Sequence, residues 1–414
     1  MTRHDDQVAA LQYAWDTDSR WAHVTRPYDA TDVIRLRPPI EIEHSIARHG
    51  ANRLWSGLLS EHPVMALGAL TGGQAVQMAA AGMDAIYVSG WQIAADGNDA
   101  QETYPDQSLY PWTSAVRLVD RINRALLRAA QVHPQRGEAL ILPLIVDAEA
   151  GFGGHLHAYE VVGRLIEAGA AAVHIEDQDP IQKKCGHVDG RVLVPTNQFL
   201  QKLVAARLAA DVADVPAVII ARTDALGANL VSSDADPADA QFMTGERDAA
   251  GRFKMRGGFD AAVARATAAA PFVDVLWCEV EEPDLTQASA FAEAIRREHQ
   301  GVLLAYNCTL EYDWFEGRAP SEISSFLADL HALDYQYLFV TIAGFQNLSA
   351  SMFEFASDFA ARGMSAYVDH QRHELELQRH GYNNVAWQRE VGTSWFGELD
   401  EMLTSITTQP EPAP

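Results

Sequence analysis

The chain has 414 residues, 48% hydrophobic and 21% charged, which is ordinary for a globular protein and long enough to bury a large core. Its 56 acidic residues outnumber 31 basic ones, for a net charge of −25; this excludes binding of nucleic acid through a basic surface and disfavours an anionic membrane, so neither partner is expected. An anionic small substrate remains open, because a few arginines or a metal ion reverse the field inside a cleft. The three cysteines, Cys185, Cys278 and Cys308, form no CxxC pair, the N-terminus has no apolar signal core, and no apolar run approaches the roughly 20 residues of a membrane span, so a cytoplasmic protein is expected.

Residues 1–60 are polar and helix-like, with Trp15, Trp21 and Trp55 and a turn at Arg37-Pro38-Pro39, and read as an N-terminal helical extension. Short apolar runs then recur at 64–70, 85–89, 141–146, 171–175, 217–221, 273–278, 302–306 and 337–342. Near-continuous apolarity marks strands covered on both faces, as in parallel sheets. Helical stretches at 156–169, 198–211, 259–270 and 285–299 lie between them, so the unit is βα. Eight such strands close an α/β TIM-type (β/α)8 barrel, expected over 61–346. Two long segments, 177–197 and 225–258, read as structureless lid or binding loops, with the lid at 178–197. Residues 347–414 read as extra C-terminal helices that pack on another subunit, ending in a disordered TTQPEPAP tail.

Polar residues fall at the strand ends: Ser89, Asp147 and Glu149, Glu176 and Asp177, Arg222 and Asp224, Glu279, Asn307, Thr341. Active sites of such barrels lie at the C-terminal ends of the strands. The onset of solvent would explain polarity there, but not a recurring set of carboxylates. Asp106, Asp147, Glu149, Glu176 and Glu279 would converge on one mouth, and several ionised carboxylates in a dry pocket require a cation. Oxygen-only donors favour Mg²⁺, with a salt-bridge network as the alternative. The two-residue spacing of Asp147 and Glu149 places both on one side of an extended segment.

In KKCGH (183–187), Cys185 lies among Lys183, Lys184 and His187, with nothing nearby apolar enough to bury it. Neighbouring cations are expected to lower its pKa, making it a nucleophile or proton donor, whereas Cys278 and Cys308 on apolar strands read as inert. The strand-end Arg222 of ARTD suits a carboxylate substrate. Metal, arginine and thiol together suggest an aldol-type cleavage, in which a C–C bond breaks and the carbanion takes a proton from Cys185.

KKCGH followed by GRVLVPT, with SGWQIAAD (89–96), YPDQSLYP (104–111), DAEAGFGG (147–154), VHIEDQ (173–178), ARTDA (221–225), LAYNC (304–308), TIAGF (341–345), MSAYV (364–368) and QREVGTSWF (388–396), closely resembles the isocitrate lyase family over about residues 10–400. The resemblance implies a barrel with a swapped helix, a homotetramer, Mg²⁺ (or Mn²⁺ in its place) and cleavage of isocitrate to glyoxylate and succinate, a step of the glyoxylate cycle. It implies that Asp147 binds the metal, with Asp106, Glu149 and Glu176 as a water-mediated outer shell. Ser89, Gly90, Trp91 and Arg222 match the glyoxylate-side binders; Gly186, His187, Asn307 and Thr341 match the succinate side. Cys185 matches the carbanion's proton donor, and Tyr87 is a candidate partner for the hydroxyl proton. The chain departs from the family at Thr309-Leu310-Glu311, where the pattern is Ser-Pro-Ser, and at Val188-Asp189-Gly190-Arg191, where it is Met-Gly-Gly-Lys. Glu311 in place of a donor would repel a substrate carboxylate. A related lyase acting on another isocitrate-like 2-hydroxy acid, such as methylisocitrate, is therefore the alternative; a catalytically silent assembly homologue is disfavoured by the intact Cys185, Asp147 and Arg222.

Overall fold

The computed structural model describes residues 3–309, 314 and 318–405; the TTQPEPAP tail and Glu311, on which two expectations fell, lie outside them. In chain order the strands are β1 (Val64–Gly68), β2 (Ala85–Val88), β3 (Leu144–Asp147), β4 (Ala172–Glu176), β5 (Val192–Leu193), β6 (Val218–Thr223), β7 (Leu230–Val231), β8 (Met243–Arg247), β9 (Phe253–Met255), β10 (Val275–Cys278), β11 (Leu303–Asn307) and β12 (Tyr335–Val340). Eight of them close a parallel barrel in the order β1-β2-β3-β4-β6-β10-β11-β12. These are the eight apolar runs of the sequence, and the fold is the expected (β/α)8 barrel. Helices at His155–Glu167, Thr196–Val212, Phe259–Ala269 and Leu285–Glu298 fall where the periodicity places them.

The two long segments are not structureless. Each supplies strands to a second, four-stranded sheet, β5-β7-β9-β8, in which β5 comes from the lid segment and the other three from 225–258. Two-residue strands such as β5 and β7 leave no periodicity to read. The sheet closes the neck of the lid: Asp179 N–H donates to the carbonyl of Val192 (2.7 Å), and Val194 N–H to that of Asp177 (2.9 Å). Only the stretch between carries the KKCGH motif.

Inside the barrel, inward-facing aromatic residues form a floor. Tyr87 stacks on His174 with ring centroids 5.7 Å apart, His174 meets Trp277 edge-on at 5.0 Å, and Trp277 meets Phe339 at 4.9 Å. The two-residue alternation of a strand then places Glu176 above His174 and Glu279 above Trp277, at the mouth.

At the opposite end of the barrel the N-terminal segment is pinned by charge. Arg20 lies over Trp21 and Trp55, Arg26 lies between Trp15 and Trp21 and pairs with Asp211 at 2.8 Å, and Arg207 pairs with Asp274 at 2.5 Å. The C-terminal helices Ala343–Arg362, Met364–Leu377, Trp387–Glu390 and Thr393–Thr404 expose Phe353, Met364, Trp387, Phe396 and Met402. Among the described residues, no helix is long and apolar enough to cross a membrane.

Candidate active site

β3 ends at Asp147, and the chain turns at once: Glu149 has φ +53° and Phe152 φ +54°, the left-handed region that non-glycine residues seldom adopt. The two carboxylates do share a side, but through this turn rather than the extended spacing the sequence suggested. Asp147 Oδ1 accepts from Glu149 N–H (2.8 Å), and its Oδ2 accepts from Gly90 N–H (3.0 Å) and Tyr87 O–H (3.4 Å). Gly90 must be small, since a Cβ there would lie 2.5 Å from Glu149 Oε1 and 2.6 Å from Asp147 Oδ2. Glu149 accepts from Tyr110 (2.5 Å) and Ser108 (2.9 Å).

Lys183 of the lid enters this cluster. Its ammonium is ion-paired with Asp106 and Glu149 and lies 4.0 Å from Glu176. Burial holds the Glu149 carboxyl up at about 7 despite Lys183, with Asp106 and Asp147 adding like-charge repulsion. Burial likewise holds Glu176 well above the usual carboxylate range, and neither of its oxygens has a hydrogen-bond partner. In contrast, Asp147 is held below its ordinary value: burial opposes ionisation, but His174, Lys183 and Arg222 together outweigh it.

Arg222, at the end of β6, lies over Trp277 and spends its fork on Asp224, at 2.9 and 3.1 Å. It faces Glu176 at 3.5 Å and Glu279 at 3.7 Å. Ser89 is buried and caps the turn holding Trp91, accepting from Gln92 N–H (3.3 Å). Trp91 packs edge-on against Phe345. On the opposite wall, Asn307 donates to Glu279 (3.3 Å) and accepts from Thr309 N–H (2.8 Å), while the Thr309 hydroxyl accepts from Thr341 N–H (2.5 Å).

The lid tip lies across these groups. His187 Nε2 is 3.4 Å from Glu279, and a Cβ on Gly186 would lie 2.5 Å from the Arg222 guanidinium. Here an expectation fails. Cys185 is partly buried, and its thiol is pushed up to about 12 rather than down: burial leads, Asp106 adds to it, and Lys183 and Arg222 only partly offset them. The nearby cations are already neutralised by carboxylates that the linear sequence leaves far away. Cys308 is buried and Cys278 partly so, and burial raises both thiols.

Three carboxylates around one lysine, with Asp147 beside them, are the chemistry of a hard divalent cation site: all-oxygen donors, excess negative charge and two oxygens of Glu176 without a hydrogen bond. Among the described residues, however, no three His, Cys, Asp or Glu side chains are gathered at one point in a ligand arrangement. The donor set fits such an ion in type and charge.

Several residues of the site escaped the sequence reading. Lys183 was noted only as a neighbour of Cys185. His174 was unmarked, although its two-residue offset from Glu176 is a legible signal that both face the barrel interior. Lys202, buried on the helix Thr196–Val212, donates to the carbonyl of Ala150 (2.8 Å) and so supports the loop after β3 from behind. Nothing in its surrounding sequence marks it.

The isocitrate lyase family profile matches residues 7–250 and 246–409. The chain is 46% identical over 411 residues to isocitrate lyase of Halalkalibacterium halodurans, covering 99% of this chain and 96% of that one. It is 47% identical over 400 residues to isocitrate lyase 1 of Mycobacterium tuberculosis (96% and 93%) and 45% identical over 421 residues to isocitrate lyase of Escherichia coli strain K12 (99% and 97%). Among solved structures, a phosphoenolpyruvate phosphomutase from Streptomyces platensis subsp. rosaceus superposes with a TM-score of 0.60 at 19% identity, covering 86% of this chain and 99% of that one. A 2,3-dimethylmalate lyase does so with 0.59 at 20%, covering 91% and 100%; both likenesses speak for the fold alone. The chain belongs to the isocitrate lyase family and is a carbon–carbon lyase.

Proposed function

We propose that the protein cleaves isocitrate to glyoxylate and succinate with Mg²⁺, Cys185 giving the proton that ends the reaction. The observation that carries this reading is the lid tip closed over the carboxylate cluster, with Cys185 between Lys183 in that cluster and His187 beside Glu279. Asp147 would hold the ion directly, with Asp106, Glu149 and Glu176 around it through water. When bound, the ion polarises the 2-oxy acid and stabilises negative charge that develops on it.

Arg222 and the Ser89-Gly90-Trp91 turn bind the glyoxylate end. The substrate hydroxyl gives its proton toward Tyr87, whose O–H lies 2.7 Å from His174 Nε2. Burial keeps the Tyr87 phenol protonated at rest and His174 neutral, so Tyr87 takes the substrate proton as it passes its own to His174 Nε2. As the C–C bond breaks, its electron pair stays on the succinate half, held by Gly186, His187, Asn307, Thr309 and Thr341. That carbanion takes the thiol proton of Cys185. The raised pKa of Cys185 supports this role, because a donor must hold its proton until the carbanion forms.

The exposed Phe353, Met364 and Trp387, together with an apolar cavity of about 900 Å³ between helix Gly72–Ala81 and the C-terminal segment, support a homotetramer. A cytoplasmic location agrees with the free thiols. Thr309-Leu310-Glu311 favours a second reading, a lyase for an isocitrate analogue altered on its succinate side. Comparing kcat/KM for isocitrate, methylisocitrate and other 2-hydroxy acids decides between them. A clear preference for isocitrate supports the first, and absence of glyoxylate from isocitrate with Mg²⁺ overturns it.

A further inference from the structure

The departures from the family pattern include Arg191, and its surroundings are unusual. The side chain is fully buried although it lies at the foot of the lid, one residue before β5. One guanidinium nitrogen donates to the carbonyl of Gly186, the residue after Cys185. The other donates to Glu281 Oε1 at 2.5 Å, on the loop after β10, and Asp224 Oδ1 lies 3.8 Å away. Gly227 provides the space: a Cβ there would lie 1.7 Å from Arg191 and 2.3 Å from the Glu281 carboxylate. Gly227 has no left-handed backbone, so room for this pair is the reason for glycine.

The residue before Cys185 is gripped independently. The buried amide of Gln178 accepts from Lys184 N–H (3.0 Å) and donates to the Lys184 carbonyl (2.9 Å). The backbone on both sides of the thiol is therefore tied to side chains that are themselves buried: Gln178 at the lid's first stem and Arg191 at its second.

We propose that Arg191, seated by Glu281 and Gly227, is a latch that closes the lid tip and aims the Cys185 thiol, with Gln178 as its counterpart; these are positioning residues. The planar fork lets one nitrogen reach the Gly186 carbonyl while the other reaches Glu281, whereas the lysine of the family pattern could serve only one of them. The inference rests on Cys185 being the proton donor, and its test separates the two.

The test measures alkylation of Cys185 by iodoacetamide in the full-length protein, read by mass spectrometry of the peptide carrying it, alongside steady-state kinetics. Glu281→Ala, which leaves Arg191 its contact with the Gly186 carbonyl and Asp224 nearby, and Arg191→Lys should each speed alkylation by about threefold or more, because the lid opens more often. They should lower kcat by about tenfold, through misplacement of the donor, and leave Cys278 and Cys308 unlabelled. Gly227→Ala should do the same without removing any polar group. Unchanged alkylation and kcat in both Glu281→Ala and Arg191→Lys would overturn the latch. If Cys185→Ser keeps full turnover while alkylation still rises in the latch variants, the latch holds the lid but the proton-donor reading fails.

Discussion

The two ends of this barrel each bury a cluster of charges, and the clusters are built on opposite principles. At the N-terminal end the charges balance. Arg207 pairs with Asp274, Arg26 with Asp211, and tryptophan faces cover the guanidinium planes. Asp274 is held below the usual carboxylate range: burial opposes ionisation, but Arg207 and Arg20 outweigh it. At the C-terminal mouth the charges do not balance. Glu149 and Glu176 are raised, and Lys183 is shared among Asp106, Glu149 and Glu176, with Arg222 facing Glu176 but also Asp224 and Glu279. A balanced cluster contributes stability; an unbalanced one costs stability, and under the proposed function an ion and a substrate complete it. In such barrels stability resides at the N-terminal face and chemistry at the C-terminal face, and here electrostatics alone tells them apart.

That contrast can be broken in four places. The largest effect is expected from Cys185→Ser, which should lower kcat by about 10²–10⁴-fold, measured as glyoxylate release, with little change in urea midpoint. Equal loss of stability would move Cys185 into the structural class. Next, Asp274→Ala should lower stability by about 3–5 kcal/mol, because it strands the buried Arg207, while kcat at a permissive temperature stays near wild type. Loss of activity without loss of stability would overturn the division.

The third test uses pH. Glu149 has its folded pKa raised from 4.5 to about 7, so the native state binds more protons than the unfolded chain in between. Its favourable contribution is complete below about 4.5 and is lost as pH rises through 7. In EDTA, Glu149→Gln should therefore be more stable than wild type at pH 8, by at most on the order of 3 kcal/mol, and no more stable at pH 4.5. Added Mg²⁺ should shrink the difference by stabilising wild type; a difference independent of pH and metal would show that the mouth is not short of positive charge. The smallest effect is expected from Trp15→Leu, which removes a half-buried ring under Arg26. It should cost about 1 kcal/mol in urea denaturation and leave kcat and KM unchanged.

The sequence by itself determined the barrel. Eight apolar runs alternating with helical periodicity left one closed parallel architecture, because strands covered on both faces must be apolar throughout. It also determined the chemical types at the mouth, since the end of each run is a fixed place in such a fold. Tertiary structure decided what those residues do to one another. Lys183, Asp106, Glu149 and Glu176 are separated by up to 77 positions yet share one charge cluster, and that cluster reverses the pKa expected for Cys185. The cations of KKCGH are local, but their counter-ions are not. The second sheet was hidden for a different reason: its strands are too short to show a period, and only their pairing makes them strands. The tryptophans of the N-terminal segment were visible from the start, but their guanidinium partners include Arg207, which the fold alone brings beneath them.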